Sequence, residues 1–424
     1  MILRDIAFQR NETSLRSEAV KCAVGIAAGR LPSTASIEEK ALKLVMNVIY
    51  PKNDELADYV VDAVTKELES AASFATATLL RVKEANDKVE SKPKSALLPS
   101  SEEEKVALES IRKPVVLYMA LCVRRVDMIK YLLELSSHDD AYLLSKAVRS
   151  NMTKLTRAAA AKYDSAKIAL LVANQVSAKE IPILLSFLDN LCPPDSAIPS
   201  IELIEACYSI QDRFSHADGR KDPRFIIPVV SGMKRLELRS KLCDFAAAAD
   251  NVFKAALHRM SERVTRYALI YREESENIHG MSLCEQLVFL HNLDFTASNI
   301  PQKRYVDAIR ICLDDVDVFT DRVVMAALDH ISNAFLHGDP LPLAYLRSII
   351  LTCSKHESLH SWICHTLLPK LIDGKVYTDK RHWEGWMRCA NMLEHTAESG
   401  VSSINVIQSL PAEQYRQYRT KYPQ

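Results

Sequence analysis

Apolar residues recur at three- and four-residue spacing along almost the whole chain, with polar residues opposite them, so nearly every segment predicts an amphipathic α-helix. After Ser36, the residues Ile37, Ala41, Leu44, Val45 and Val48 line one face, and Ser36 with Glu39 has the spacing of a capping box. Pro51 ends that helix. Leu56, Val60, Ala63 and Val64 resume the period behind the acidic start Asp54-Glu55, which makes a helical hairpin. The pattern returns over residues 106–175, where Pro114 starts or kinks a helix with Val116, Met119, Ala120 and Val123 inside. Residues 179–191 and 198–214 follow, divided at Cys192-Pro193-Pro194-Asp195. The apolar run DPRFIIPVVSGMKRLELRSKL fits helix or strand by periodicity alone; its helical neighbours assign it to a buried helix. Ser282 and Glu285 form a second capping-box pattern, opening a helix with Leu283, Leu287 and Leu290 inside, and Val324, Ala327, Leu328, Ile331 and Phe335 form the stripe of the next long helix.

Residues 340–410 hold all three tryptophans, Trp362, Trp383 and Trp386. Three short stripes run through them: Leu343, Leu346 and Ile350; then Leu359, Trp362, Ile363 and Leu367; then Trp383, Trp386, Met387, Ala390 and Leu393. Each helix alone leaves its stripe in water, so the helices must stack.

Helices of this length with short breaks, at roughly one hairpin per forty residues, fit an all-α, HEAT-like helical-repeat solenoid, with an ordinary pair of α-helical bundles as the alternative. Only 9 glycines in 424 residues argue against a sheet protein with many tight turns. The period lapses at EANDKVESKPKSALLPSSEEE, where Ser, Pro, Lys and Glu gather. The expected organisation is therefore N-terminal helical hairpins over residues 1–83, a flexible linker or loop over 84–104, and a helical-repeat region over 105–424.

Charge and chemistry narrow the function classes. Lys plus Arg and Asp plus Glu number 54 each, so no global basic field exists to collect nucleic acid. The ten cysteines, among them Cys122, Cys207, Cys312 and Cys389, form no CxxC pair and read as buried free thiols of a reducing compartment. No signal-peptide core and no apolar run near the ~20 residues of a membrane span occurs, so a soluble intracellular protein is expected.

No GxSxG elbow, HExxH helix or P-loop is present, and no enzyme activity is expected. Cys353, His356, His360 and Cys364 are metal-capable, but one straight helix cannot bring all four together, and they read as packing residues; no metal or cofactor is expected. Cys364 beside His365 points the two side chains about 100° apart on a helix, which is not a nucleophile with its base. Asp314, Asp315, Asp317 and Asp321 read as a cap or solvated turn. Arg259, Arg263 and Arg266, with Tyr267 and Tyr271 interleaved, form a basic stripe for RNA phosphates or an acidic partner, diluted by Glu262, Glu273, Glu274 and Glu276. Tyr345, Arg347, Arg381 and Arg388 lie off or at the rim of the apolar stripes and are the candidate partner-binding residues.

Several packing segments occur in one order: DPRFIIPVV at 222–230, LVFLHNL at 287–293, PLPLAYLRSII at 340–350, WEGW at 383–386 and INVIQSLP at 404–411. In that order they resemble the C-terminal region of the symplekin family, scaffolds of the pre-mRNA 3′-end processing machinery. Weaker echoes at 14–22, 113–123 and 167–175 extend the likeness. HTAESGVSS is a longer insertion than the family pattern has, and 84–104 resembles nothing in it.

The resemblance implies a non-catalytic nuclear scaffold that binds the cleavage endonuclease of metallo-β-lactamase fold and its catalytically inactive homologue, the nuclease subunits of the cleavage and polyadenylation specificity factor. It further implies cleavage stimulation factor as a partner, a role on polyadenylated and histone pre-mRNAs, and indirect or weak contact with nucleic acid. No membrane or small-molecule substrate follows from it. The family's N-terminal HEAT domain, which binds a phosphatase, has no match, so a C-terminal fragment of a longer protein that lacks phosphatase binding is expected. A general HEAT-type adaptor of another complex and an RNA-contacting helical-repeat protein are the alternatives.

Overall fold

The computed structural model describes residues 2–8, 13–87, 101–138, 141–193, 198–217, 219–262, 279–297, 300–394 and 402–423. Among them every element is helical, and the single β feature is an isolated bridge between Lys234 and His279. In chain order the helices are α1 (Ile2–Ala7), α2 (Thr13–Ala27), α3 (Ala35–Leu44), α4 (Asp54–Asp87), α5 (Ser101–Cys122), α6 (Ile129–Ser136), α7 (Tyr142–Ala160), α8 (Ser165–Gln175), α9 (Ile181–Leu191) and α10 (Ile201–Arg213). They continue with α11 (Arg235–Ala247), α12 (Asp250–Ser261), α13 (Leu283–His291), α14 (Gln302–Asp314), α15 (Asp321–Leu336), α16 (Tyr345–Lys355), α17 (His360–Trp362), α18 (Leu368–Asp373), α19 (Lys380–Glu394), α20 (Ile404–Gln408) and α21 (Ala412–Lys421). The chain forms two compact units, Met1–Pro193 with Glu205–Phe225, and Pro194–Ile204 with Ile226–Gln424.

In the first unit, α2 packs on α1, α3 and α4, and α5 packs on α4 and α7. Leu56, Val60 and Val64 of α4 are fully buried, as their spacing predicts. The stripe of α3 departs from its prediction. Ala41 and Val45 are buried, but Ile37 and Val48 are exposed, and Met46 and Ile49 point inward instead. Beyond Val45 the cause is a π turn over Val45–Ile49, which adds a residue to the turn and rotates the later side chains. The Ser36–Glu39 capping box also fails: α3 starts behind Thr34 without a side-chain cap, and Glu39 pairs with Lys43 at 2.6 Å.

In α5, Pro114 lies inside the helix, and the fully buried line is Ile111, Val115, Tyr118 and Cys122, with Val116, Ala120 and Val123 half-buried beside it. The run VVLYMALC is apolar nearly all round, so periodicity alone could not fix its phase. The ends of the expected linker at 84–104 belong to α4 and α5, which reach Asp87 and begin at Ser101; residues 88–100 lie outside the described residues.

The segment at 222–242 is a buried helix only in its second half. It runs as 3₁₀ turns over Pro223–Phe225 and Ile227–Gly232 before α11 begins. Pro223 and Pro228 have no N–H for an α-type bond, and the local bonds are short-range: Val229 N–H to Ile226 O and Met233 N–H to Val230 O, each 3.1 Å.

In the second unit, helices two apart in sequence pack together: α13 on α15, and α14 on α16; α15 also packs on α18, and α16 on α19. The Ser282–Glu285 capping box forms as predicted, with Glu285 N–H donating to Ser282 Oγ at 3.2 Å and Ser282 N–H to Glu285 Oε2 at 2.9 Å. It opens α13, which is buried on nearly every side, so its polar groups need partners. Gln286 Nε2 donates to Leu257 O and Met281 O at 3.1 and 3.0 Å. His291 donates from Nδ1 to Leu287 O at 2.7 Å and takes the Ser348 hydroxyl on Nε2 at 2.8 Å, while Tyr305 donates to His291 O at 2.8 Å. One buried histidine thereby joins α13, α14 and α16.

Candidate partner-binding surface

The tryptophan-bearing helices are positioned by a few polar bonds through an aromatic core. Trp383 and Trp386 stack at 5.1 Å; Trp386 Nε1–H donates to Leu368 O at 3.1 Å and Trp383 Nε1–H to Gln417 Oε1 at 2.9 Å. These bonds seat α19 between α18 and α21. Tyr418, fully buried, donates to Glu394 Oε2 at 2.7 Å, and Arg419 pairs with Glu394 at 2.9 Å. Trp362 is half-buried at the edge of a second π turn, Ile363–Leu367.

This frame corrects one predicted surface residue. Tyr345 is completely buried, and its hydroxyl donates to Leu328 O at 2.7 Å. The prediction ran the helix back through Leu343, which is exposed and precedes α16. Because α16 starts at Tyr345, its buried face is Tyr345, Leu346, Ile349, Thr352 and Cys353, and Tyr345 is a packing residue.

Arg347, Arg381 and Arg388 are exposed, and none makes an ion pair among the described residues. Leu346, beside Arg347, accepts the Cys389 thiol at 3.6 Å on its carbonyl, so Arg347 and Arg388 both flank the crossing of α16 and α19.

The basic stripe loses its first member. Arg259 is buried and its guanidinium pairs with Glu262 at 3.0 Å, one turn on, so it offers no charge to a phosphate. Arg263 and Arg266, with Tyr267 and Tyr271, lie outside the described residues.

The Cys/His set is dispersed into separate bonds. His356 donates from Nδ1 to Asp321 Oδ1 at 2.5 Å, and His360 Nε2 bonds Cys353 O at 2.7 Å. Burial pushes the Cys353 thiol up to about 12 and the Cys364 thiol to about 11. Hydrogen bonds from Ser358 and then His356 hold the Asp321 carboxyl below its usual range. Asp314 pairs with Arg310 at 3.1 Å and Lys355 at 3.3 Å. Among the described residues no group of three or more His, Cys, Asp or Glu side chains is arranged to hold a metal ion, and no helix is long and apolar enough to cross a membrane. Sequence reasoning missed α21 as a structural partner of α19; the spacing of Tyr415, Tyr418 and Tyr422 carried that signal.

The segments that drew attention in the sequence meet one another in the fold. His291 of LVFLHNL bonds Ser348 of PLPLAYLRSII. Gly385 of WEGW packs on Leu346 of the same segment. Ser403, just before INVIQSLP, donates to Ala390 O of α19 at 2.6 Å. Residues 222–422 match the family described as symplekin tight junction protein C terminal, a stretch that contains all of these segments and leaves out the weaker echoes upstream. No solved structure matches the chain. From Ile226 onward the matched stretch lies within the second compact unit, and residues 222–422 form a symplekin-family C-terminal region.

Proposed function

We propose that the symplekin C-terminal region of this chain is a non-catalytic scaffold that binds the cleavage endonuclease of the pre-mRNA 3′-end processing machinery together with its inactive homologue. The observation that carries this reading is the family match over residues 222–422, which falls on one compact helical unit. The chemistry of the unit supports it. Among the described residues, several groups that could serve catalysis are tied up in packing: His291 bonds Leu287 and Ser348, His356 bonds Asp321, and the thiols of Cys312 and Cys389 are buried.

A HEAT-type stack belongs to the same proposal. Its support is the pairing of α13 with α15 and α14 with α16, the pattern expected when each helical layer contacts its neighbour. Action in the nucleus, on polyadenylated and histone messages and alongside cleavage stimulation factor, follows from the family reading. The exposed Arg347, Arg381 and Arg388 are the proposed contacts.

The test is co-expression of the full chain with the C-terminal domains of the two nuclease-fold subunits, followed by affinity capture and size-exclusion chromatography. Co-elution of all three chains is expected. Separate elution, with each chain folded by circular dichroism, sinks the proposal.

A further inference from the structure

Several cations of the second unit are matched to carboxylates. Arg304 meets Asp250 at 2.5 Å, Lys355 meets Asp314 at 3.3 Å, Lys370 meets Asp329 at 2.8 Å and Arg419 meets Glu394 at 2.9 Å. Five others lie together on one surface without such a match. Lys380, Arg381 and Arg388 on α19, with Arg416 and Lys421 on α21, are all exposed, and none makes an ion pair among the described residues. At 100° per residue, Lys380, Arg381 and Arg388 fall within an arc of about 100° on α19, opposite the buried Trp386 and Leu393. The Trp383–Gln417 bond at 2.9 Å joins this helix to α21 one turn from Lys380 and next to Arg416. On α21, Glu413, Arg416, Gln417, Thr420 and Lys421 line one shallow groove.

Two nearby carboxylates are already committed: Asp379 accepts His382 N–H at 2.9 Å at the start of α19, and Glu394 is buried against Arg419 and Tyr418. Exposed Glu384 and Glu413 remain among five cations. Lys380 and Arg381 also occupy the first turn of α19, where the helix dipole disfavours positive charge, and Asp379 at the helix start offsets part of that cost.

We infer that the α19–α21 face is a docking surface for an acidic polypeptide segment of a partner protein. This rests on the reading of the unit as a scaffold and names the chemistry of one of its contacts. A nucleic acid fits less well. The tryptophans that could stack on bases are buried, Tyr415 is the one large aromatic side chain markedly exposed on these two helices, and Glu384 and Glu413 would repel a continuous phosphate backbone.

The test uses the full chain and two labelled probes, an oligoglutamate peptide and an oligouridylate, followed by fluorescence anisotropy at low salt. The wild-type chain should bind the peptide more tightly than the oligouridylate, and added salt should weaken it. The quadruple variant K380E/R381E/R388E/R416E should lose at least about tenfold in peptide affinity, from a few tenths of a kcal/mol per exposed pair, with unchanged helicity and melting temperature. Tighter binding of oligouridylate, dependent on the same residues, would overturn the inference in favour of RNA. No peptide binding, or equal binding by the variant, would also overturn it. Capture of the nuclease-fold pair separates the two readings: failure with the wild-type chain removes the scaffold, whereas equal capture by wild type and variant removes only this face.

Discussion

Gly385 of α19 faces Leu346 of α16 so closely that a Cβ built on the glycine would stand 2.6 Å from Leu346 Cβ and 3.0 Å from its Cγ. Two effects of Gly385→Ala oppose each other. Helix propensity favours alanine by roughly 1 kcal/mol, while forcing a methyl into a packed helix crossing costs about 1–3 kcal/mol. The contact involves a Cβ, which cannot swing aside as a side-chain end can, so the packing cost should win. Gly385→Ala is expected to lower the midpoint of urea unfolding with little change in slope; a raised midpoint would show that the two helices separate freely.

His291 gives the fold a pH dependence. Burial pushes its pKa down from 6.5 to about 4, because the site holds a neutral ring between Leu287 O and Ser348. The folded value is the lower one, so between those limits the unfolded chain binds the extra proton. The contribution is fully present above about pH 6.5 and is lost as the pH falls toward 4, on the order of 3 kcal/mol in all. Urea unfolding at a series of pH values should show this loss, and His291→Gln should flatten the profile in that window. A wild-type profile that stays level from pH 7 to 4 would contradict it.

The family assignment was legible in the sequence because the recognisable segments are the ones that touch. Gly385 and Leu346 explain why a glycine sits in WEGW, and His291 and Ser348 explain a histidine and a serine in otherwise apolar runs. What was illegible came from effects that local spacing does not encode. A π turn at Val45–Ile49 leaves no mark in composition, yet it exchanges Val48 for Met46 and Ile49 in the core. Tyr345 looked like a rim residue until the helix start, set by the prolines at 340 and 342 and by packing, was known. Arg259 is buried by tertiary neighbours, and its ion pair with Glu262 satisfies a charge that the stripe pattern assigned to solvent.

Thiol reactivity should report this burial directly. Eight of the ten cysteines are buried and only Cys22 and Cys243 are half-exposed. Burial lifts the thiols of Cys207 and Cys284 to about 12, which leaves almost no thiolate at neutral pH. Brief iodoacetamide treatment of the native chain, read by peptide mass spectrometry, should label Cys22 and Cys243 far ahead of the rest, and all ten should react in urea. Early labelling of Cys353 or Cys389 would mean that the α16–α19 crossing opens in the native state.

The buried ion pair between Arg235 and Glu285 separates the worth of a pair from the cost of breaking it. Both side chains are nearly inaccessible, at 5% and 8% exposure, and Glu285 also caps α13 through Ser282 N–H. Removing one partner deprives the other buried charge of this ion pair, a loss of up to about 3–5 kcal/mol, whereas neutralising both reduces that penalty. Arg235→Met should therefore destabilise strongly. Arg235→Met combined with Glu285→Gln should recover a large part of the loss, because glutamine still offers an oxygen to Ser282 N–H. A double-mutant cycle by urea unfolding measures the coupling directly. Additive losses would show that water reaches the carboxylate and that α11 and α13 do not depend on this pair for their packing.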